Sequence, residues 1–293
     1  MKKILLTIII ATFAFVNTAD AKTYKKEKKS SYVVKKQKKT AKRKAYKANS
    51  YVGCCNTNPN ILLVNLTDNF IIDGNLSANK VSIASLSKLM TVYTVVKNHQ
   101  NFNEVLKVNT RLSNHTRLSK GMTLTRGDLI KLALVHSDNL AAQTLAENFP
   151  GGFDAFIYEM NKNAKELGMT NTIFFEPTGL DANNSSTIQD ILLLTKAASQ
   201  YDIFREAAKS ENVVITAQRG KKTVKITAGA TNKMFGKEGV LTIKTGFTNA
   251  AGFCITILMS VDNKLYNLIV LGARSSKERQ KIIERSMQSL KYT

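Results

Sequence analysis

Ser85-Leu86-Ser87-Lys88 puts a hydroxyl and an amine three residues apart at the start of a strongly apolar run. On a helix, positions i and i+3 share a face, so the Lys88 amine can reach the Ser85 hydroxyl. A serine at a helix N-terminus also meets free backbone N–H groups and the positive end of the helix dipole, which a developing oxyanion needs. A serine hydroxyl is a poor nucleophile without a base. No His or Asp stands at an evident spacing from Ser85, so Lys88 is the candidate base. A lysine of pKa about 10.4 is a poor base near neutral pH. Burial and a second nearby cation would lower it. The pattern alone is weak: Ser77-Ala78-Asn79-Lys80 repeats it in a polar loop, and Ser85 alone would serve as a plain helix cap.

Two further tripeptides give the first one meaning. Ser137-Asp138-Asn139 lies at a junction between helical stretches, and Lys244-Thr245-Gly246 ends a strand-like run. Each occurs once, and each alone could be a solvated turn. Together they follow Ser85 in order, 52 and then 107 residues apart. Lys244 can be the second cation. Ser137 can pass a proton between Lys88 and a leaving group. Asn139 offers a donor and an acceptor to a substrate amide. Lys244 and Thr245 can bind a carboxylate, and Gly246 lets a substrate backbone approach the strand closely.

The elements that must position these groups follow from periodicity. Ile61–Leu66 and Phe70–Ile72 read as a hairpin around Thr67-Asp68-Asn69. Residues 85–98 read as a buried helix. Thr125-Arg126-Gly127-Asp128 is a helix-capping signal before Leu129–Leu134. Residues 140–148 and 153–167 read as helices, with Pro150-Gly151-Gly152 between them and Gly168 at the end. Val213–Thr216 and Thr223–Thr227 form a second hairpin around Arg219-Gly220. Val240–Lys244, Phe253–Val261 and Leu265–Leu271 read as strands, and Ile282, Ile283, Met287 and Leu290 share one face of a closing helix. This order predicts an α+β fold: a sheet built from both chain ends, with flanking helices and an inserted helical subdomain.

The 293 residues carry 43 Lys+Arg against 21 Asp+Glu, a net charge of +22. Such an excess first suggests a polyanion such as nucleic acid. Its distribution argues otherwise. Residues 22–50 alone sum to +12, residues 1–21 to +1 and residues 51–293 to +9. Lys2-Lys3, the apolar run Ile4–Val16 and Ala19-Asp20-Ala21 read as a secretory signal, too short to span a bilayer as a helix. Residues 22–50 read as a Lys-rich, disordered tether suited to an anionic envelope surface, and residues 51–293 as one domain. Export to the periplasm or cell envelope counts against a nucleic-acid partner, and no later segment could span a membrane. In an oxidising compartment Cys54 or Cys55 could pair with Cys254. His99, His115 and His136 show no metal-ligand spacing with these cysteines, so no metal or other cofactor is expected.

The three motifs, with Ile83–Thr91, Met160-Asn161, Ala164–Met169, Glu176-Pro177-Thr178-Gly179-Leu180, Ile243–Thr248 and Ala251-Gly252, closely resemble the low-molecular-mass penicillin-binding proteins, the serine D-alanyl-D-alanine peptidases. The resemblance covers residues 60–285 and implies a β-lactamase/transpeptidase-like fold. It implies that Ser85 attacks a D-alanyl carbonyl, Lys88 takes its proton, Ser137 relays a proton to the departing amine, and water hydrolyses the ester. The backbone N–H groups of Ser85 and Phe247 would form the oxyanion hole. The implied substrates are peptidoglycan stem peptides, with β-lactams as acylating inhibitors. A class A β-lactamase would carry E-x-x-x-N, but Leu180 stands four positions after Glu176. Only 47 residues follow Gly246, where carboxypeptidases of the family continue into a β-rich domain and an anchor. Phe149–Gly152 and Asn183–Thr187 are similar to the DD-endopeptidase branch, with Ile188 in place of the usual Ala. The expected activity is therefore cross-link cleavage. The alternatives are a D-alanyl-D-alanine carboxypeptidase, then a β-lactamase, then a non-catalytic basic envelope-binding protein.

Overall fold

The computed structural model describes residues 58–74 and 76–290. The expected signal and tether, Cys54 and Cys55 lie outside the described residues, and so does the expected cysteine pairing. In chain order, β1 (Asn60–Asn65), β2 (Phe70–Gly74) and β3 (Val81–Ser82) lead into a single 3-10 turn at Ala84–Leu86 and then α1 (Ser87–Lys97). β4 (Val105–Lys107), β5 (Met122–Thr125), α2 (Arg126–Lys131), a π turn at Leu132–His136, α3 (Asn139–Glu147) and α4 (Gly152–Glu166) follow. Next come β6 (Ser185–Ser186), α5 (Ile188–Ala198), α6 (Asp202–Ala208), β7 (Asn212–Arg219) and β8 (Lys222–Gly229). β9 (Val240–Thr248), β10 (Gly252–Val261), β11 (Lys264–Ala273) and α7 (Ser276–Ser289) close the chain.

The main sheet has the order β2-β1-β11-β10-β9, and every pairing in it is antiparallel. The first two strands come from one end of the domain and the other three from the opposite end, as the sequence predicts. Turn chemistry sets the registers. Asp262 and Asn263 take φ of 48° and 61°, the left-handed pair that a two-residue hairpin demands. Asn65 accepts the N–H groups of Thr67 and Asp68 at 3.0 and 2.9 Å and so folds the first hairpin. Cys254–Met259 of β10 are all buried, so both faces of the sheet are covered, with α5 and α7 packing on it. Burying such a strand stabilises by roughly 1.5–3 kcal/mol per large aliphatic side chain.

The insert differs from the expectation of a purely helical subdomain. It contains a second sheet, β4-β5-β7-β8, into which the predicted hairpin of residues 213–227 folds. That hairpin belongs to this sheet and not to the main one. α1 runs through the middle of the molecule, and Ser87–Val95 are buried without a break. Its buried circumference explains why Lys88, on the same helix, has no exit to solvent.

Candidate active site

Ser85 does not begin α1. It sits in the tight turn just before the helix, where Leu86 N–H donates to Ile83 O at 3.2 Å. Ala84 takes φ +47°, a costly conformation for a residue with a Cβ, and thereby turns Ser85 outward. Two glycines permit this. A Cβ on Gly179 would lie 1.9 Å from Ala84 O, and one on Gly246 would lie 3.0 Å from Ser85 N. The loop after α4 and strand β9 thus close on the backbone of Ser85 from two sides.

Lys88 follows one helical turn later and is fully buried. Its Nζ lies 2.9 Å from Ser85 Oγ, 2.7 Å from Asn139 Oδ1 and 2.6 Å from Thr178 O. Burial lowers its pKa from 10.5 to about 7, against the opposing pull of Glu176 and Asp138. At that value a large share of Lys88 is neutral near pH 7. The neutral amine has two N–H groups and one lone pair. Thr178 O can only accept, and so can Asn139 Oδ1, because the same amide donates from Nδ2 to Asn114 O at 2.8 Å. Those two acceptors take both N–H groups, and the lone pair is left facing the Ser85 hydroxyl.

Ser137 ends the π turn at φ 61°, and Asp138 caps α3 by accepting the N–H of Ala141 at 2.9 Å. Asp138 also accepts from Thr116 Oγ1 and from Arg117 N–H, so the middle residue of the second motif is an anchor and not a reactive group. Ser137 Oγ accepts from Lys244 Nζ at 2.8 Å. Lys244 also donates to Thr245 O at 2.9 Å. Its pKa falls well below 10.5, first through burial and then through repulsion by Lys88 and Arg279. Lys244-Thr245-Gly246 lies inside β9, which runs on to Thr248, and does not end the strand as expected. β9 is an edge strand of the main sheet, so it can accept an extended peptide beside it.

These groups open into a cavity of about 530 Å³ lined by Ser85, Ser137, Asn139, Thr245, Gly246 and Phe247, among others. Lys88 and Lys244 lie beneath its floor. The structure therefore brings together Ser85, Lys88, Ser137, Asn139, Lys244, Thr245, Gly246 and Phe247, whose ring stacks on Phe253 at 4.2 Å. Ser77-Ala78-Asn79-Lys80 stays apart, in an exposed segment before β3.

Sequence reasoning missed three contributors. His115 lines the cavity, donates from Nε2 to His136 O at 2.6 Å and stacks on His136 at 4.6 Å. Its own carbonyl accepts Asn139 N–H at 3.1 Å, and burial lowers its pKa. Arg279 of α7 also lines the cavity, is 7% exposed and donates to Cys254 O at 3.2 Å. Asn184 spans the loop, donating to Ser87 Oγ at 3.0 Å and to Glu176 O at 2.8 Å. His115 and Arg279 stand in no motif, and the Asn183–Thr187 run that holds Asn184 carries no local sign of this bridging role. Glu176 is the carboxylate that a β-lactamase would need free. Its oxygens accept from Thr178 N–H at 2.7 Å, Thr178 Oγ1 at 2.6 Å, Gly179 N–H, and Asn184 Nδ2 at 3.1 Å. Its acceptor capacity is spent inside the loop. Among the described residues no group of three or more His, Cys, Asp or Glu side chains is placed to hold a metal, and no helix is long and apolar enough to cross a membrane.

Residues 55–275 match the sequence family described as D-alanyl-D-alanine carboxypeptidase. The chain is 36% identical over 219 residues to a D-alanyl-D-alanine endopeptidase of Escherichia coli, covering 72% of this chain and 70% of that protein. It is 34% identical to a D-alanyl-D-alanine endopeptidase of Pseudomonas aeruginosa, covering 66% of this chain and 64% of the relative. Penicillin-binding protein D2 of Listeria monocytogenes, solved in an ampicillin-bound form, superposes with a TM-score of 0.67 at 29% identity, covering 78% of this chain and 96% of that one.

Proposed function

The chain belongs to the D-alanyl-D-alanine carboxypeptidase family, and on that footing we propose that it is a serine DD-peptidase that cleaves D-alanyl cross-links in peptidoglycan. The observation that carries this reading is the wiring of Lys88. A neutral amine with its lone pair on Ser85 Oγ at 2.9 Å is a general base already in place. Ser85 Oγ attacks the D-alanyl carbonyl while its proton passes to Lys88. The carbonyl oxygen becomes an oxyanion facing the N–H groups of Ser85 and Phe247. The C–N bond then breaks, and the amine leaves with a proton delivered through Ser137, which Lys244 holds. Water next attacks the ester, with Lys88 again taking the proton, and the acid departs to restore Ser85.

Substrate recognition follows from the same geometry. The peptide lies along the β9 edge. Asn139 addresses its amide, and Lys244, Thr245 and Gly246 with the buried Arg279 form a cationic corner for the carboxylate on the leaving side. A β-lactam presents an acylating carbonyl and a carboxylate to the same groups, so penicillin acylates Ser85. The preference for cross-links over a terminal D-alanine is supported by the two endopeptidase relatives. Glu176 is committed to its loop, which argues against a β-lactamase that turns penicillin over.

The signal reading of residues 1–21 and the +12 of residues 22–50 support export to the cell envelope and salt-sensitive adhesion there, with no role for nucleic acid. Deleting residues 22–50 should abolish salt-sensitive binding to purified sacculi or anionic vesicles; unchanged binding would refute the adhesion.

The decisive experiment digests purified cross-linked muropeptide dimers and pentapeptide monomers side by side with wild type and Ser85→Ala. Conversion of dimers to monomers by wild type alone is expected. Cleavage of pentapeptides only would replace the endopeptidase reading by a carboxypeptidase. Rapid turnover of penicillin would replace both, and no labelling of folded wild type by a fluorescent penicillin would end the enzyme reading.

A further inference from the structure

A second cavity, of about 560 Å³, lies beside the first and is lined by Glu211, Ala230, Thr231, Asn232, Lys233, Phe235 and Lys237. Thr231 lines both cavities. Its Oγ1 accepts from Thr245 Oγ1 at 2.6 Å, and its N–H donates to Val135 O at 3.3 Å, two residues before Ser137. In the mechanism proposed above the amine leaves on the side of Ser137 and Thr245, and Thr231 stands next to Thr245 on that side. The second cavity therefore continues the first on the leaving-group side.

Its frame is built before any ligand arrives. Ala230 N–H donates to Glu211 O and Gly236 N–H to Ala208 O, each at 2.8 Å, while Phe235 is 2% exposed and floors the loop. A Cβ on Gly236 would lie 2.6 Å from Glu211 Cγ, so the loop is pressed against the residue that leads into β7. The ammonium groups of Lys233 and Lys237 are exposed, and neither ion-pairs with a described acid. The rim thus holds two unpaired positive charges and the single carboxylate of Glu211.

We infer that this cavity binds the departing half of the cross-link, a carboxylate-bearing stem peptide, and so sets the preference for cross-linked substrate over a terminal D-alanine. The inference rests on the cross-link-cleaving reading given above. A carboxypeptidase releases one amino acid, which the first cavity holds by itself. A cross-link releases a whole peptide, whose continuation has to lie beyond Thr231. Lys233 and Lys237 face its carboxylates, and Glu211 faces an ammonium group or backbone N–H.

The test compares cleavage of muropeptide dimers and pentapeptide monomers by the full chain and by Lys233→Glu/Lys237→Glu, with the rate of penicillin acylation as reference for an intact site. The two substrates present the same acyl side and differ only in what leaves. The ratio of dimer to pentapeptide kcat/KM should fall about tenfold in the variant, as expected when two solvent-screened attractions become repulsions. An unchanged ratio overturns the inference and leaves the cross-link reading standing. Failure of wild type to cleave dimers at all removes both. Should the double variant lose penicillin acylation, wild type decides: added NaCl should slow dimer cleavage more than pentapeptide cleavage, and equal slowing overturns the inference.

Discussion

The chain writes Ser-x-x-Lys twice within twelve residues, and the two copies end in opposite surroundings. Around Ser77 and Lys80 the backbone is irregular, Lys80 is exposed, and Ser77 Oγ accepts only the N–H of Asn79 at 3.2 Å. Around Ser85 and Lys88 a buried helix fixes the spacing, and three distant segments supply Asn139, Thr178 and Gly246. The comparison teaches that the motif carries no chemistry of its own. A solvated lysine is a cation with no reason to give up its proton. A lysine on a buried helix, sealed from water, is held near neutrality and becomes a base. Reactivity here belongs to the packing that surrounds the pair.

The largest expected effect tests that contrast directly. Ser85→Ala should lower penicillin acylation by about 10⁴-fold or more, since the nucleophile is gone. Ser77→Ala should leave it within about twofold, because an exposed loop hydroxyl away from the site contributes little. Labelling that survives Ser85→Ala, or disappears with Ser77→Ala, would break the comparison. Next, Lys88→Ala should cost about 10²–10⁴-fold, the usual worth of a general base, against no measurable loss for Lys80→Ala. The wild-type acylation rate should rise with pH through about 7 and then level off, because the depressed pKa makes Lys88 neutral above that point. The Lys88→Ala profile should lose this limb.

A third test concerns the backbone that presents Ser85. Gly179→Ala would put a Cβ 1.9 Å from Ala84 O at φ +81°, so the turn carrying the nucleophile must shift. Acylation should fall on the order of 10–100-fold, as for misplacement of a reacting group by about an ångström. Gly220→Ala is the control. It also has positive φ, at +62°, but no atom lies within 4 Å of its Cβ, so a stability cost of about 1 kcal/mol and normal acylation are expected. Equal losses in the two variants would show that backbone strain, and not crowding at Ser85, is what Gly179 relieves.

How far the sequence carries this picture depends on the range of the interactions involved. The main sheet is legible because its hairpins are closed by local turn chemistry, as at Asp262-Asn263, and its long strands are apolar runs bounded by those turns. The second sheet is not. β4 has three residues, too few for alternation to register, and β5 joins the hairpin through Met122–Arg219, a pairing across 97 positions. α5 was missed although Thr187-Ile188-Gln189-Asp190 repeats the capping pattern read at Thr125; Thr187 does accept Asp190 N–H, at 3.3 Å. The departure at Ile188 lands on the first turn of that helix, where the residue is 1% exposed and packs in the core. At the site, side chains in motifs were visible and their supports were not. His115 bonds the carbonyl of His136 and Asn184 the hydroxyl of Ser87, 21 and 97 positions away, and no local pattern encodes such a contact.

The smallest expected effect separates the loop's two contributions to Lys88. Loop residues 176–184 give Lys88 the carbonyl of Thr178 and, through Glu176, a negative charge that raises its pKa against burial. Nothing comparable covers Lys80. Glu176→Gln removes the charge and leaves one side-chain oxygen where two had accepted, so the N–H groups of Thr178 and Gly179 compete for it. Stability should drop by about 1–3 kcal/mol, measurable in a urea transition. The charge has its own signature. Without it, burial acts unopposed by Glu176, so the midpoint of the acylation profile should move below its wild-type position near pH 7. A shift to higher pH would mean that the loosened loop admits water to Lys88 and relieves the burial that lowers its pKa. The lifetime of the penicilloyl-enzyme should stay within a few-fold of wild type, because a carboxylate fully engaged by its own loop is not positioned to activate water. A collapse of deacylation in this variant would instead make Glu176 the group that activates the hydrolytic water and reopen the β-lactamase reading.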